Sequence, residues 1–271
     1  MEVIIKSIKG FFNIDLKELW RFRELFYFFA WRDIKVRYKQ TSIGIIWAVL
    51  QPILTMVIFT VVFGRVAGIK SGVTPYPIFV YSGLLFWNYF SNSLSTASNS
   101  LVAEQNIIQK VYFPKIIIPL ASTLVFLLDF FFSSFILVGL MIYYQFFPSL
   151  TGVLLVIPSL VVTFLTFSGL GLIFSSINVK YRDVRYALPF FIQLLIFLTP
   201  VIYPISMLGS YKWILYFNPM SGVIETMRAG LLGVGAIDWS VFVFSALLSV
   251  LFFIFGLFYF NKSERFFADI I

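Results

Sequence analysis

WRDIKVRYKQTSIGIIWAVLQPILTMVIFTVVFG, Trp31 to Gly64, is the stretch on which the rest of the chain depends. Its first nine residues set Arg32, Lys35, Arg37 and Lys39 against a single Asp33, whereas Ser42 to Phe63 carries no charge over twenty-two residues. An α-helix rises about 1.5 Å per residue, so about 20 apolar residues cross a hydrocarbon core of about 30 Å. The stretch is therefore a basic collar followed by a membrane span. Basic residues beside a first span stay in the cytoplasm, which predicts an inside amino terminus. Pro52 lies within the span and predicts a kink, with neighbouring helices satisfying the freed backbone groups.

The composition extends this reading to the whole chain. Of 271 residues, 60% are hydrophobic and only 12% charged, and the mean hydropathy is +0.95. Soluble domains are about 25% charged, so an all-α integral membrane protein is expected. The net charge of +8 would hint at nucleic acid in a soluble protein. Here it follows from the positive-inside rule and contact with anionic membrane lipids, and no nucleic-acid partner is implied. The chain has no Cys and no His, which removes thiol nucleophiles, disulfides, haem ligation by His and the usual zinc sites; no metal site is expected. No cleavable signal is expected either, because the first long apolar run begins only near Ser42, behind many charges.

Working outward, residues 14–33 read as an amphipathic helix. Leu19, Phe22, Phe26 and Phe29 recur on one face of a 3.6-residue period, with Lys17, Arg21 and Glu24 opposite. Such a helix lies in the membrane interface, or else packs on protein. Residues 1–40 are thus a cytoplasmic and interfacial arm, 41–261 a transmembrane domain and 262–271 a cytoplasmic tail. Six spans are expected, over 42–63, 76–94, 116–143, 153–175, 187–205 and 242–260. The second turns polar at its end, through Ser91, Asn92, Ser93, Ser95, Thr96, Ser98, Asn99 and Ser100. Being uncharged, that end is able to continue as a helix lining a wet cavity. The third carries Asp129 near its middle, a cost of ~2.5–3.5 kcal/mol on insertion scales, so Asp129 faces protein or water; a helix-to-helix hydrogen bond is its simplest role. Met207 to Ser240 is apolar but broken by Pro219, Gly222, Gly230, Gly233 and Gly235. Its pieces are too short to cross and predict a re-entrant helix pair before the last span. Sixteen of the twenty Lys and Arg fall on the inner side of this scheme, which places both termini in the cytoplasm.

No G-x-x-x-x-G-K-[ST], H-E-x-x-H or G-x-S-x-G occurs, and the spans hold too few carboxylates for a proton relay. A pore subunit driven from the cytoplasm is expected, rather than an enzyme or a self-sufficient transporter. Four stretches carry a resemblance: RDIKVRYKQTSIGIIWAVLQP (Arg32 to Pro52), QKVYFPK (Gln109 to Lys115), VKYRDVRYALPFFIQLLIFLTPVIYP (Val179 to Pro204) and FNPMSGVIETMRAGLLG (Phe217 to Gly233). Together they resemble the permease subunits of type-2 ABC exporters of the polysaccharide group, above all the Wzm-like O-antigen export permeases. Teichoic-acid and capsule exporter permeases are similar, and these motifs do not separate the substrates.

The resemblance implies a homodimeric pore in the cell inner membrane. It also implies an interface helix, coupling helices between spans 2 and 3 and between spans 4 and 5, and re-entrant gate helices. The implied substrate is a polyprenyl diphosphate-linked polysaccharide. The implied partners are two copies of a nucleotide-binding, Wzt-like ATPase subunit, which would hold the ATP and Mg; this chain is expected to hold no cofactor and to have no catalytic residues. Any glycan-recognition domain would belong to that partner. Alternatives are a same-fold exporter of a small drug or lipid, and a stand-alone membrane enzyme acting on polyprenyl substrates.

Three groups of residues are candidates. Tyr and Trp suit interfaces and offer a sugar a flat face plus a hydrogen bond, which selects Tyr38, Trp47, Tyr81, Trp87 and Tyr89 as a glycan conduit. Asn218, Pro219, Glu225 and Arg228 are the candidate outer gate, Glu225 and Arg228 being three apart and able to pair on a helix; the alternative is a snorkelling surface pair of little worth. Lys180, Arg182, Asp183 and Arg185, widened by Glu104, Gln109 and Lys110, are candidates for ATPase coupling, since Arg can grip a carboxylate in a bidentate fork.

Overall fold

A computed structural model describes residues 16–39, 44–72, 74–233 and 235–270, and the described residues contain helices and no strands. The arm is α1 (Leu16–Arg21) and α2 (Arg23–Lys39). Next come α3 (Gly44–Phe59), α4 (Tyr76–Ala103), the single turn α5 (Gln105–Ile108), α6 (Ile117–Ala121) and α7 (Leu124–Tyr143). The carboxy-terminal half holds α8 (Leu150–Lys180), α9 (Val184–Leu198), α10 (Pro219–Leu232) and α11 (Trp239–Ile270). Four segments are long and apolar enough to cross a membrane: Ile46–Val66, Ile117–Tyr143, Leu150–Lys180 and Trp239–Arg265. α4 is long enough, but its second half is Ser- and Asn-rich; α9 is apolar but has only 15 residues.

The helices pack around α4, α8 and α11. α4 is buried on nearly every face from Ile78 to Trp87, and its core continues into Phe130 of α7, Phe167 of α8 and Met220 and Met227 of α10. α8 and α11 meet at glycine. A methyl group built on Gly169 would lie 2.4 Å from the carbonyl carbon of Phe252, and one on Gly256 would lie 2.3 Å from the carbonyl oxygen of Gly169. Small residues let backbones approach this closely where lipid offers no competing hydrophobic drive. A second contact of the kind joins Gly152 of α8 to Gly230 of α10. Beside it, the Ser149 hydroxyl caps α8 by accepting from the Gly152 N–H and donates to the Gly230 carbonyl at 2.9 Å. The outward faces of α3, α7, α9 and α11 carry large exposed hydrophobics such as Ile58, Phe135, Phe190 and Leu251, as lipid-facing helices do.

A second core closes the end where α2 meets the carboxy-terminal part of α11, the end expected to be the inner one. Phe29 of α2, Ile108, Phe113, Val179 of α8, and Phe260 and Phe267 of α11 form it. Leu19, Phe22 and Phe26 pack against its edge, and the Phe29 and Phe113 rings sit 5.9 Å apart. The periodic apolar face of the arm is therefore real, but it covers the chain's own inner end. The opposite side of the arm is aromatic too: Trp20, Tyr27, Phe28 and Trp31 are exposed, Tyr27 stacks on Trp31, and Arg23 and Lys35 lie over Trp20 and Trp31. Part of the expected arm, residues 1–15 and Gln40, lies outside the described residues.

Three boundaries differ from expectation. α3 runs through Pro52, and the irregularity falls later, in a π-helical Thr60–Val66 with the Ala67 N–H donating to the Val62 carbonyl. The third span is divided at Ser122 and Thr123, whose hydroxyls donate to the Pro119 and Leu120 carbonyls and so compete with the helix ladder. α11 continues through the expected tail, because Glu264 accepts from the Lys115 backbone N–H at 3.0 Å and Phe267 packs on Phe260. Before α10, a 3₁₀ segment, Ile205–Phe217, breaks at Gly209, where φ is 49°.

Candidate functional site

The polar end of α4 stays helical to Ala103. Asn88, Asn92, Ser95, Thr96 and Asn99 follow one helical face and are half-buried, not sealed in the core. Across from them run Arg32, Asp33 and Arg37 of α2, which packs chiefly on α6, α7 and α3. Two recesses follow one another along this pair of helices. The one farther from the second core has a lining that includes Arg37, Gln51, Asn88, Tyr89, Asn92, Asp129 and Ser133. The inner one is a cleft of about 360 Å³ whose lining includes Arg32, Asp33, Ser95, Thr96, Asn99 and Glu104.

Each recess is held by an arginine of the arm. Arg37 Nη2 donates to Asp129 Oδ2 at 2.6 Å, the Tyr38 hydroxyl donates to Asp129 Oδ1, and the guanidinium lies over the Phe126 ring. Asp129 thus has the helix-to-helix role expected of it, with the arm as partner. Arg32 donates to Asp33 Oδ1 at 2.9 and 3.0 Å and to Glu104 Oε1 at 2.5 Å, and stacks over Phe29. Burial pushes the Asp33 carboxyl above its ordinary value, against the pull of Arg32. Burial lowers the Arg32 value, but hydrogen bonds to Glu104 and Asp33 outweigh it and the net shift is upward. The guanidinium therefore stays charged.

The inner end brings the coupling candidates together. Asn178, near the end of α8, donates to the Ser98 carbonyl at 3.0 Å and to Asn99 Oδ1 at 3.1 Å, so the ends of α4 and α8 are adjacent. Gln109, Lys110, Lys180, Arg182, Asp183 and Arg185 are exposed there, whereas Glu104 is bound to Arg32. Between α4 and α6 there is one short helix, α5. Only Tyr181 to Asp183 separate α8 from α9, so Lys180 sits on the last turn of one long helix, Arg182 and Asp183 in the connection and Arg185 on the first turn of the next.

At the other end, Asn218, Pro219, Glu225 and Arg228 share α10 and its cap. Asn218 Oδ1 accepts from the Met220 N–H at 3.1 Å, and its Nδ2 donates to Thr199 Oγ1 at 2.8 Å. Arg228 is 3% exposed. It donates to the carbonyls of Phe79 (3.2 Å), Pro200 and Val201 (2.6 Å), and its guanidinium lies 3.6 Å from the Phe79 ring centroid. Glu225 is only its fourth acceptor, at 3.3 Å. The pairing by spacing is present, but Arg228 is a buried clamp joining α10, α4 and the segment after α9, not a surface charge.

Of the conduit candidates, Trp47 is exposed and Tyr38 is bound to Asp129. Tyr81, Trp87 and Tyr89 are buried in the core, with the Tyr81 hydroxyl donating to the Ser133 carbonyl at 3.0 Å and Tyr89 packed on Phe130 and Phe167. Tyr81 and Trp87 are committed to packing, Tyr89 is buried but also borders the first recess, and the rest of the open wall is the polar face of α4. Asn88 and Gln51 join this wall without standing among the sequence candidates; the mark of Asn88 in the sequence is its place four residues before Asn92 in an apolar run, and Gln51 has none. Among the described residues no group of three His, Cys, Asp or Glu is placed to hold a metal.

Comparison with known proteins gives a consistent answer. The family model described as ABC-2 type transporter matches residues 24–232. The chain is 29% identical over 245 residues to an O-antigen export system permease protein RfbA of Klebsiella pneumoniae, covering 89% of this chain and 92% of that one. It is 29% identical over 218 residues to the protein of the same name from Myxococcus xanthus, covering 79% and 82%. To the polysialic acid transport protein KpsM of Escherichia coli it is 23% identical over 204 residues, covering 73% and 77%.

Proposed function

We propose a function from one premise: the chain belongs to the ABC-2 type transporter family. It is the transmembrane permease subunit of a polysaccharide exporter, and the relatives named for O-antigen and polysialic acid transport are the observation that carries this reading. The finer proposal is an ATP-driven exporter that moves a polyprenyl diphosphate-linked, O-antigen-like glycan across the inner membrane. A homodimer forms the pore and two copies of a separate ATPase subunit drive it, binding the ATP and Mg themselves. Teichoic acid or capsule is the second reading; the likeness to a polysialic acid transporter favours capsule among them.

In this proposal α4 and α9 cross the membrane alongside the four longer apolar segments, giving six spans with both termini inside. The 3₁₀ segment and α10 enter and leave from the outer side, with Arg228 and Asn218 holding the outer closure. The exposed turn from Lys180 to Arg185 receives the ATPase, with Gln109 and Lys110 beside it. The polar face of α4 supports the glycan reading: a stripe of amides and hydroxyls facing lipid would cost free energy at every group, whereas facing a hydrated glycan it is satisfied.

Deletion of the gene in its native host tests the reading. Surface polysaccharide is lost while lipid-linked glycan accumulates inside, and the tagged chain co-purifies with a nucleotide-binding subunit. Unchanged surface polysaccharide would refute it. Because the chain has no cysteine, single cysteines report topology directly: Lys110, Arg182 and Lys262 label from the cytoplasm and Lys70 from outside. Labelling of Lys70 from inside overturns the six-span scheme.

A further inference from the structure

We propose that the inner cleft between α2 and α4 is a subsite for one uncharged hexopyranose unit of the glycan. The proposal rests on the polysaccharide-export reading and adds where a sugar is gripped and which part of the substrate is excluded.

The volume, about 360 Å³, suits a single sugar ring with some water. The free groups in its lining match a polyol. Arg32 uses Nε and Nη2 on Asp33 and Glu104, which leaves Nη1 to donate. Asp33 and Glu104 each accept through one oxygen, leaving Asp33 Oδ2 and Glu104 Oε2 to take sugar hydroxyl protons. The Ser95 and Thr96 hydroxyls line the cleft and make no hydrogen bond to the described residues. A charged donor, two charged acceptors and two hydroxyls around one space can satisfy several hydroxyls of one ring, and hydrogen bonds to charged groups are the stronger kind.

Charge decides between the two ends of the substrate. One guanidinium faces two carboxylates, so the cleft is net negative by one charge among Arg32, Asp33 and Glu104. A diphosphate placed there would meet like charge, whereas a neutral hexose would not. The Arg32 fork also orients both carboxylates before any ligand arrives, which removes part of the ordering cost of binding.

The test has two arms. In the first, the full chain with its co-purifying subunit is reconstituted in lipid nanodiscs. Saturation-transfer NMR is then recorded with D-glucose, D-galactose and D-mannose at millimolar concentration, and with sodium diphosphate as the anionic probe. At least one hexose gives a transfer signal, and the paired substitution Ser95→Ala with Thr96→Val lowers it at least threefold; diphosphate does not compete for it. In the second, surface polysaccharide is measured in a permease-deleted host complemented with that double variant or with Thr96→Trp, which fills the cleft. Both reduce export at least fivefold at unchanged membrane yield of the chain. Competition by diphosphate, or wild-type hexose signal and export in the double variant, overturns the subsite. No hexose signal together with wild-type export in Thr96→Trp overturns it as well. A wild-type chain that restores no surface polysaccharide refutes the export reading instead, and the nanodisc measurement still decides on the cleft.

Discussion

Arg228 is a buried charge whose main partners are backbone carbonyls. Replacing it with Ala leaves the carbonyls of Pro200 and Val201 without this donor in a site already closed to water, while Phe79 keeps the Ser82 hydroxyl; unsatisfied buried groups of this kind cost about 1–3 kcal/mol each. The expected loss for Arg228→Ala is about 3 kcal/mol or more. Arg228→Lys recovers little of it, since one ammonium cannot reproduce a planar fork reaching three carbonyls. Thermal unfolding of the purified chain checks both variants; an unchanged midpoint for Arg228→Ala would contradict the clamp. Glu225→Gln keeps an acceptor near Arg228 and is expected to be mild. Asp129 obeys a different rule, because its partners Arg37 and Tyr38 come from the arm. A double-mutant cycle between Arg37→Gln and Asp129→Asn is expected to give a coupling of about 1 kcal/mol or more, as residues in direct contact do. Limited trypsin digestion of the arm reads the same coupling: both single variants are cut faster than wild type, and zero coupling in the cycle would place the two side chains apart.

The helices divide into those whose reading from sequence held and those where burial altered it. The basic collar, the long uncharged runs and the broken region before α11 all left local marks: charge, hydropathy and Pro or Gly. The fate of Tyr81, Trp87 and Tyr89 left none, since an apolar helix facing lipid and one enclosed by other helices have the same composition. Only the surrounding α7, α8 and α10 make α4 a core helix. The amphipathic period of the arm was legible, but whether its face met lipid or protein was not. The helical length of α11 depends on Lys115, about 150 residues away in the chain, and no local pattern encodes that. Close helix contacts give the prediction at this scale. Gly256→Leu forces a side chain into the Gly169 backbone and pries α8 from α11. It is expected to lower the yield of folded, monodisperse chain severalfold. Gly139→Leu, where a Cβ meets nothing within 4 Å, is expected to leave that yield unchanged, and equal behaviour of the two variants would show that the contact does not hold the helices.

At the scale of the whole molecule, the two ends are joined by few continuous elements. α8 has its charged turn at Lys180 and its cap, beside α10, at Ser149. Arg182→Ala and Asp183→Ala are expected to insert normally yet to weaken association with the ATPase subunit by at least threefold in a pull-down, and to uncouple hydrolysis from export. Wild-type pull-down and export in both variants would remove this turn from coupling. α8 has 31 residues, about 46 Å at helical rise, and it meets α10 backbone to backbone at Gly152 and α11 at Gly169. The contact at Gly169 divides the helix into arms of about 28 Å toward Leu150 and about 16 Å toward Lys180. In the exporter proposed above, the Gly169–Gly256 contact would serve as a fulcrum for α8. A rigid tilt about it would convert a displacement at the Lys180 end into one roughly 1.7 times as large at the Leu150 end, so in the proposed orientation a small push at the cytoplasmic face would arrive magnified where α8 meets α10.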